Sequence, residues 1–96
     1  MIVREADRFR IEGPVTLRSA TALLARGREV FVEPRSRVDL SAVSEVDSAA
    51  VAVLVQWLRD ARAQKREIVY LNLPESLKSL STLYGVLDLL PEAAGA

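Results

Sequence analysis

The residues best placed to do chemistry lie in one segment, between Asp39 and Ser48. The segment holds three carboxylates, Asp39, Glu45 and Asp47, and ends on Ser48 at the predicted start of a helix. Free backbone N–H groups and the positive end of the helix dipole point to such a hydroxyl, so a phosphate on Ser48 would be stabilised there. The simpler interpretation is that Asp47 or Ser48 caps the helix. Capping and contact with a partner are compatible, because a capping hydroxyl is often exposed.

The composition argues against the common kinds of catalysis and metal binding. The 96 residues contain no His and no Cys, which removes the commonest general base, the thiol nucleophile and the usual metal ligands. The three carboxylates match no known metal loop. Ser48 has no Gly-x-Ser-x-Gly elbow around it, and the four glycines lie too far apart to form a phosphate loop. We therefore expect no enzymatic activity, no metal and no cofactor.

Charge and hydropathy set the expected partners and location. The 13 basic and 13 acidic residues balance, so no general field attracts nucleic acid or an anionic membrane. The N-terminus does not resemble a secretory signal. The longest apolar run, Ala49 to Val55, is far shorter than the roughly 20 residues of a membrane span. We expect a single soluble domain over residues 1–96, located in the cytoplasm, with no nucleic-acid partner.

Strands and helices alternate along the chain. Polar–apolar alternation and apolar runs predict strands, and apolar spacings of three and four residues predict helices. Strands are predicted at residues 8–12, 37–43 and 67–73, with a short partner strand at 1–3. Helices are predicted at residues 16–29, 48–64 and from Pro74 at the N1 position to Gly85, which ends the helix. This β-α-β-α-β-α order implies parallel pairing and an α/β fold class, a small mixed sheet with helices packed against it.

Four shorter segments complete this prediction. Gly13–Pro14 is expected to be a turn, and so is Ser44–Glu45 after the second strand. Residues 30–33 are compatible with a last helical turn or an extended stretch, and we favour the helical turn before Pro34. The tail, residues 92–96, is expected to be frayed.

The predicted central helix presents two different faces. A core-facing stripe falls at three- and four-residue spacings, formed by Val51, Leu54, Val55 and Leu58. Beside it lies a surface of mostly small residues, Ser48, Ala49, Ala52 and Gln56. Small residues let a partner approach closely, although Ala is also simply a good helix former.

Two further features of this helix have alternative interpretations. Trp57 is either semi-buried core or a partner-facing anchor. The basic residues Arg59, Arg62, Lys65 and Arg66 are interrupted by acidic residues, which favours a solvated helix end over a binding patch.

Four segments of the chain resemble a known family. Val38–Ser41 followed by Val46–Leu54 resembles the signature of STAS domains, which include antagonists of anti-sigma factors and the soluble domains of sulfate transporters. The strand at 69–74 and the stretch Leu80–Val86 resemble the MlaB-type subgroup, the small STAS subunit of an ABC transporter that moves phospholipid between the membranes of Gram-negative bacteria. The resemblance covers roughly residues 8–90.

The resemblance implies an interaction module that binds the cytoplasmic ATPase subunit of the transporter, MlaF, and supports its assembly and activity. Such a module would lie in the cytoplasm, peripheral to the inner membrane through its partner. In the family, the hydroxyl residue at the helix N-terminus lies at the ATPase contact, which matches Ser48 with Asp47 before it. Ala49, Ala52 and Gln56 join the expected contact because they lie on the same helix face.

An alternative is a regulatory antagonist of an anti-sigma factor, with Ser48 as its phosphorylation site. Such antagonists usually carry a glycine soon after the phosphorylated serine. This chain has Ala49–Ala50 instead. The departure weakens the phosphoswitch interpretation, although Ser48 itself is present.

Overall fold

Seven strands and three α-helices follow one another along residues 1–93, the part of the chain that the computed structural model describes. The strands are β1 (Ile2–Arg4), β2 (Phe9–Ile11), β3 (Gly13–Val15), β4 (Arg35–Asp39), β5 (Val43–Val46), β6 (Glu67–Leu71) and β7 (Glu92–Ala93). The helices are α1 (Leu17–Val30), α2 (Ser48–Ala63) and α3 (Glu75–Leu83), and a short 3-10 turn follows at Leu87–Leu89.

The main sheet has five strands in the spatial order β1-β2-β4-β6-β7. β1 pairs with β2 in antiparallel fashion, whereas the β2–β4, β4–β6 and β6–β7 pairs are parallel. Each parallel pair is bridged by one helix, as a parallel connection requires. The predicted α/β fold class, a mixed sheet with packed helices, is confirmed.

The core is built around an aromatic chain between α1, α2 and the sheet. Phe31 packs edge to face on Phe9 and on Trp57, with ring centroids 5.1 Å apart in both pairs. Trp57 is only 2% exposed, so it belongs to the core and the partner-anchor interpretation is wrong. The predicted core stripe of α2 is also confirmed, although Val55 is half-buried.

Gly27 explains how α1 and α2 come so close at this point. Helix α1 continues through Gly27, as predicted. A Cβ atom at this position would overlap Nε1 of Trp57 and lie 2.7 Å from its Cε2. The absence of a side chain at Gly27 therefore makes room for the indole ring.

The predicted strand at residues 37–43 is two separate elements. β4 ends at Asp39, whose Oδ1 accepts a hydrogen bond from the Ser41 N–H at 2.9 Å. This bond supports a turn, and the chain then enters β5, which includes the Ser44–Glu45 pair predicted to be a turn. Gly13–Pro14 is likewise strand rather than turn, because β3 pairs in parallel with β5.

The ends of the helices and the tail also differ from prediction. Helix α1 ends at Val30, where the Phe31 N–H makes the last helical bond to the Gly27 carbonyl. Residues 31–33 form neither helix nor strand, so the favoured helical turn does not extend to them. Pro74 is the N-cap of α3 and not its first helical residue. Glu92–Ala93 form β7 rather than a frayed tail, and the prediction for residues 94–96 lies outside the described residues.

Within residues 1–93, the structure contains no helix that combines the length and apolar character needed to cross a membrane.

Candidate functional site

Asp47 anchors the start of α2 and connects it to the start of α1. As the N-cap of α2, Asp47 accepts a hydrogen bond from the Ala49 N–H to Oδ1 at 2.8 Å. Its other oxygen, Oδ2, accepts one from the N–H of Leu17, the first residue of α1, at 3.0 Å. One carboxylate thus satisfies a free N–H group on each of two helices. Of the two predicted capping residues, Asp47 is the cap.

Ser48 is the first residue of α2, and its side chain is exposed. Among residues 1–93, its hydroxyl makes no hydrogen bond. Because Asp47 already supplies the cap, the Ser48 hydroxyl is available to a second molecule.

A groove of about 490 Å³ runs along α2 from Ser48. It is lined by Ser48, Val51, Ala52, Val55, Gln56, Arg59 and Tyr84. Three of the five predicted contact residues, Ser48, Ala52 and Gln56, therefore lie together. Asp47 and the half-buried Ala49 do not line the groove.

The groove also contains residues that the sequence prediction missed. Tyr84, the C-cap of α3, forms part of its lining and is 54% exposed. Leu83 precedes it and is 76% exposed. Leu17, the first residue of α1, is exposed as well but does not line the groove. Large exposed apolar side chains beside a groove are typical of a protein contact surface.

Of the residues that line the groove, Arg59 is the one with a charged side chain. Neighbouring Asp60 is engaged elsewhere, since its Oδ2 accepts from Arg28 Nε and its Oδ1 from Gln56 Nε2, both at 3.0 Å. Burial of Asp60 opposes its ionisation, but the hydrogen bond from Gln56 and the Arg28 guanidinium together hold the pKa of its carboxyl below the ordinary value. The Asp60 charge is thus already compensated by Arg28.

The other predicted basic residues do not join Arg59 in the groove. Arg62 and Lys65 are exposed, and Arg66 is half-buried and donates to the Phe31 carbonyl at 3.5 Å. This arrangement agrees with a solvated helix end rather than a basic patch.

The three carboxylates of the segment are held apart by their own contacts. Asp39 is buried and accepts hydrogen bonds from the Ser41 N–H and from Asn72 Nδ2, with Arg8 3.5 Å away. Burial raises the pKa of Asp39 most strongly, but these hydrogen bonds and the Arg8 charge bring it below its ordinary value. Glu45 is exposed on β5 and Asp47 is the helix cap. Over residues 1–93, no three potential ligands are grouped as a metal site would require.

Solved structures show that this arrangement of sheet and helices is the STAS fold. The anti-sigma factor antagonist SpoIIAA in its unphosphorylated form matches with a TM-score of 0.72 and 14% identity, over 98% of this chain and 87% of that chain. The phosphorylated form from Bacillus matches with a TM-score of 0.69 and 13% identity, over 98% and 90%. A sulfate transporter family protein from Wolinella succinogenes matches with a TM-score of 0.69 and 15% identity, over 92% and 75%.

A comparison of the sequence with protein-family models identifies the family. The family model described as the MlaB STAS domain matches residues 2–91, so the chain belongs to this family of STAS domains. The resemblance seen in the sequence is thereby confirmed at the level of the family.

Proposed function

We propose that this protein is a non-enzymatic STAS subunit that binds the cytoplasmic ATPase of an Mla-type ABC phospholipid transporter. In this role it supports assembly and activity of the transporter and so the lipid asymmetry of the outer membrane. It would reach the inner membrane only through the MlaF-like ATPase. The observation that carries the proposal is the Ser48 hydroxyl at one end of the α2 groove, which makes no hydrogen bond within residues 1–93. It lies in a chain that the MlaB STAS family model matches over residues 2–91.

The construction of the α2 N-terminus supports a contact role. Asp47 holds Ser48 in place by bonding to the starts of both α1 and α2. The side chains of Ser48 and Ala52 are small and exposed, so a partner can approach the helix backbone closely. A surface that is rigid before binding loses less conformational entropy when the complex forms.

The same residues offer little support for catalysis. Ser48 has no histidine to activate it, because the chain contains none. Asp39 and Asp47 use their oxygens to hold backbone and side-chain donors. In the proposed complex, ATP hydrolysis therefore belongs to the partner.

Substitutions along α2 test the proposal. Purified protein is mixed with the transporter ATPase subunit, and complex formation and ATP hydrolysis are measured for wild type and for Ser48→Arg, Ala52→Arg and Ala63→Arg. Ala63 is an exposed alanine on the same helix, about 22 Å from Ser48 at 1.5 Å per residue, so it is the matched control. We expect Ser48→Arg and Ala52→Arg to weaken binding at least about tenfold, the size of a hot-spot loss, and Ala63→Arg to bind normally.

Two results would contradict the proposal. One is a wild-type protein that forms no complex with the ATPase at micromolar concentration. The other is a set of variants in which Ala63→Arg weakens binding as much as Ser48→Arg.

The family description favours the transporter role over the antagonist alternative. A kinase assay distinguishes the two directly. Phosphorylation of Ser48 by an anti-sigma kinase, with binding to that kinase lost in Ser48→Asp, would support the antagonist role. An unchanged protein mass after incubation with kinase and ATP agrees with the transporter role.

A further inference from the structure

We propose that the α2 groove receives an amphipathic helix of the partner, and that this helix carries a carboxylate facing Arg59. The inference rests on the proposed function, because the ATPase subunit is the source of the helix. It adds the chemistry of the contact, which the family membership does not specify.

The shape of the groove fits a helix. Its lining residues on α2 recur every three or four positions from Ser48 to Arg59, which spans about 17 Å or three helical turns. Tyr84 at the end of α3 contributes the opposite wall. A helix face about three turns long, bordered by one aromatic side chain, matches the length of an amphipathic helix, whereas an extended peptide adds to the exposed edge of a sheet.

The apolar surface defines one face of the incoming helix. Ala52, Val55 and Tyr84 lie between the polar ends of the groove. Leu83 adds apolar surface next to Tyr84 and is largely exposed. Covering these side chains favours apolar residues at three- and four-residue spacing on the partner helix.

The charge of the groove defines the second requirement. Arg59 forms no ion pair within residues 1–93, and no carboxylate lines the groove. A partner that covers Arg59 must supply a compensating charge, because an unpaired charge is costly to bury. The partner helix should therefore place an Asp or Glu at the Arg59 end.

A second copy of this chain fits the groove less well. In a symmetric dimer, the same patch of both copies forms the interface. Two grooves facing each other would bury two Arg59 side chains and none of the carboxylates needed to balance them. Charge complementarity thus selects a different protein that presents an acid.

Charge reversal on α2 tests the inference in the full complex. Binding to the ATPase subunit is measured by calorimetry at low and high salt for Arg59→Glu, Arg59→Lys and the control Arg62→Glu. Arg62 is exposed on the same helix, has no ion-pair partner within residues 1–93 and does not line the groove. We expect Arg59→Glu to weaken binding at least about tenfold and to reduce its salt dependence. Arg62→Glu should stay within about threefold of wild type. Arg59→Lys keeps the charge and should therefore lose less affinity than Arg59→Glu.

A zero-length cross-link identifies the acid. Arg59→Lys places an amine where the partner carboxylate is expected, and a carbodiimide then joins the two through an amide bond with loss of water. Mass spectrometry of the Arg59→Lys complex should find position 59 linked to an Asp or Glu within an amphipathic helix of the ATPase. The Arg62→Lys complex should give no such product at position 62.

The outcomes separate this inference from the proposed function. If Ser48→Arg abolishes binding while Arg59→Glu binds like wild type, the acidic helix is refuted and the ATPase contact stands. Equal losses in Arg59→Glu and Arg62→Glu would also refute it, since they would indicate general charge attraction. Failure of the wild type to bind the ATPase overturns both, and self-association blocked by Arg59→Glu would replace the partner helix with a second copy.

Discussion

Removal of the Asp47 carboxylate should loosen the starts of two helices at once. In the folded protein, Oδ1 accepts from the Ala49 N–H at 2.8 Å and Oδ2 from the Leu17 N–H at 3.0 Å. Loss of an N-cap acceptor costs about 1 kcal/mol, and loss of a second, exposed hydrogen bond costs about 1 kcal/mol more. Asp47→Ala should therefore lower the free energy of unfolding by about 2 kcal/mol.

A second substitution divides this cost between the two helices. An asparagine at position 47 keeps one acceptor oxygen but presents an NH2 group in place of the other. It can satisfy either the Ala49 N–H or the Leu17 N–H, while its NH2 group faces the remaining donor. Asp47→Asn should thus lose about half of the total, roughly 1 kcal/mol.

Equilibrium unfolding by urea and by heat, each followed by circular dichroism, measures both effects. For a domain of this size, 2 kcal/mol corresponds to a fall in Tm of about 8–16 °C. Glu45→Ala is the control, because Glu45 is an exposed acid two residues earlier and its loss changes the net charge equally. The reasoning is refuted if Asp47→Ala matches Glu45→Ala, or if Asp47→Asn is as stable as wild type.

Two further substitutions probe the core behind the site. Gly27→Ala should destabilise the fold by about 1–3 kcal/mol through overlap with Trp57, although alanine is the better helix former by about 1 kcal/mol. Thermal unfolding and Trp57 fluorescence measure this effect. An unchanged Tm and an unchanged emission spectrum would show that the indole ring repacks freely, and would contradict the prediction. Tyr70 is buried, which raises the pKa of its hydroxyl well above the ordinary value, and the hydroxyl donates to the Leu54 carbonyl at 2.7 Å. The unfolded chain then loses this proton first, so stability should fall as the pH rises above about 10. Unfolding measured from about pH 8 to about pH 11 should show a shallower fall for Tyr70→Phe, and an equally steep fall would exclude Tyr70 as its source.

Helix α2 shows what local sequence could predict. Val51, Leu54 and Leu58 repeat at the period of a helix, and all three are buried. The predicted bounds, residues 48–64, differ from the observed Ser48–Ala63 by one residue. The period of a helix is a local property of the chain, so it could be deduced without knowledge of the neighbouring elements.

The β3–β5 pair shows what local sequence could not predict. Gly13–Pro14 has the composition of a turn, yet it belongs to a strand because Pro14 and Val15 pair with Glu45 and Val46. The prediction of a turn at Ser44–Glu45 is wrong for the same reason. The partner of each segment lies about 30 residues away in sequence, where a local pattern carries no information about it.

Local sequence could also predict some residues of the candidate site and not others. Ser48, Ala52 and Gln56 could be grouped because four-residue spacing places them on one helix face. Tyr84 could not, since it reaches the groove only through the packing of α3 beside α2. The sequence pattern places Arg59 and Arg62 together at a solvated helix end, and only the three-dimensional structure separates them.

The neighbouring residues Asp47 and Ser48 should therefore affect different properties of the protein. The Asp47 oxygens are both used within the fold, whereas the Ser48 hydroxyl makes no bond within residues 1–93. A change at Asp47 should lower the stability of the fold. It should weaken binding only as a consequence, because Leu17 and Ser48 lose their fixed positions. A change at Ser48 alters binding with little loss of stability. If Ser48→Arg were as destabilising as Asp47→Ala, position 48 would belong to the folding of the α2 N-terminus, and a binding defect at Ser48 would no longer indicate a contact.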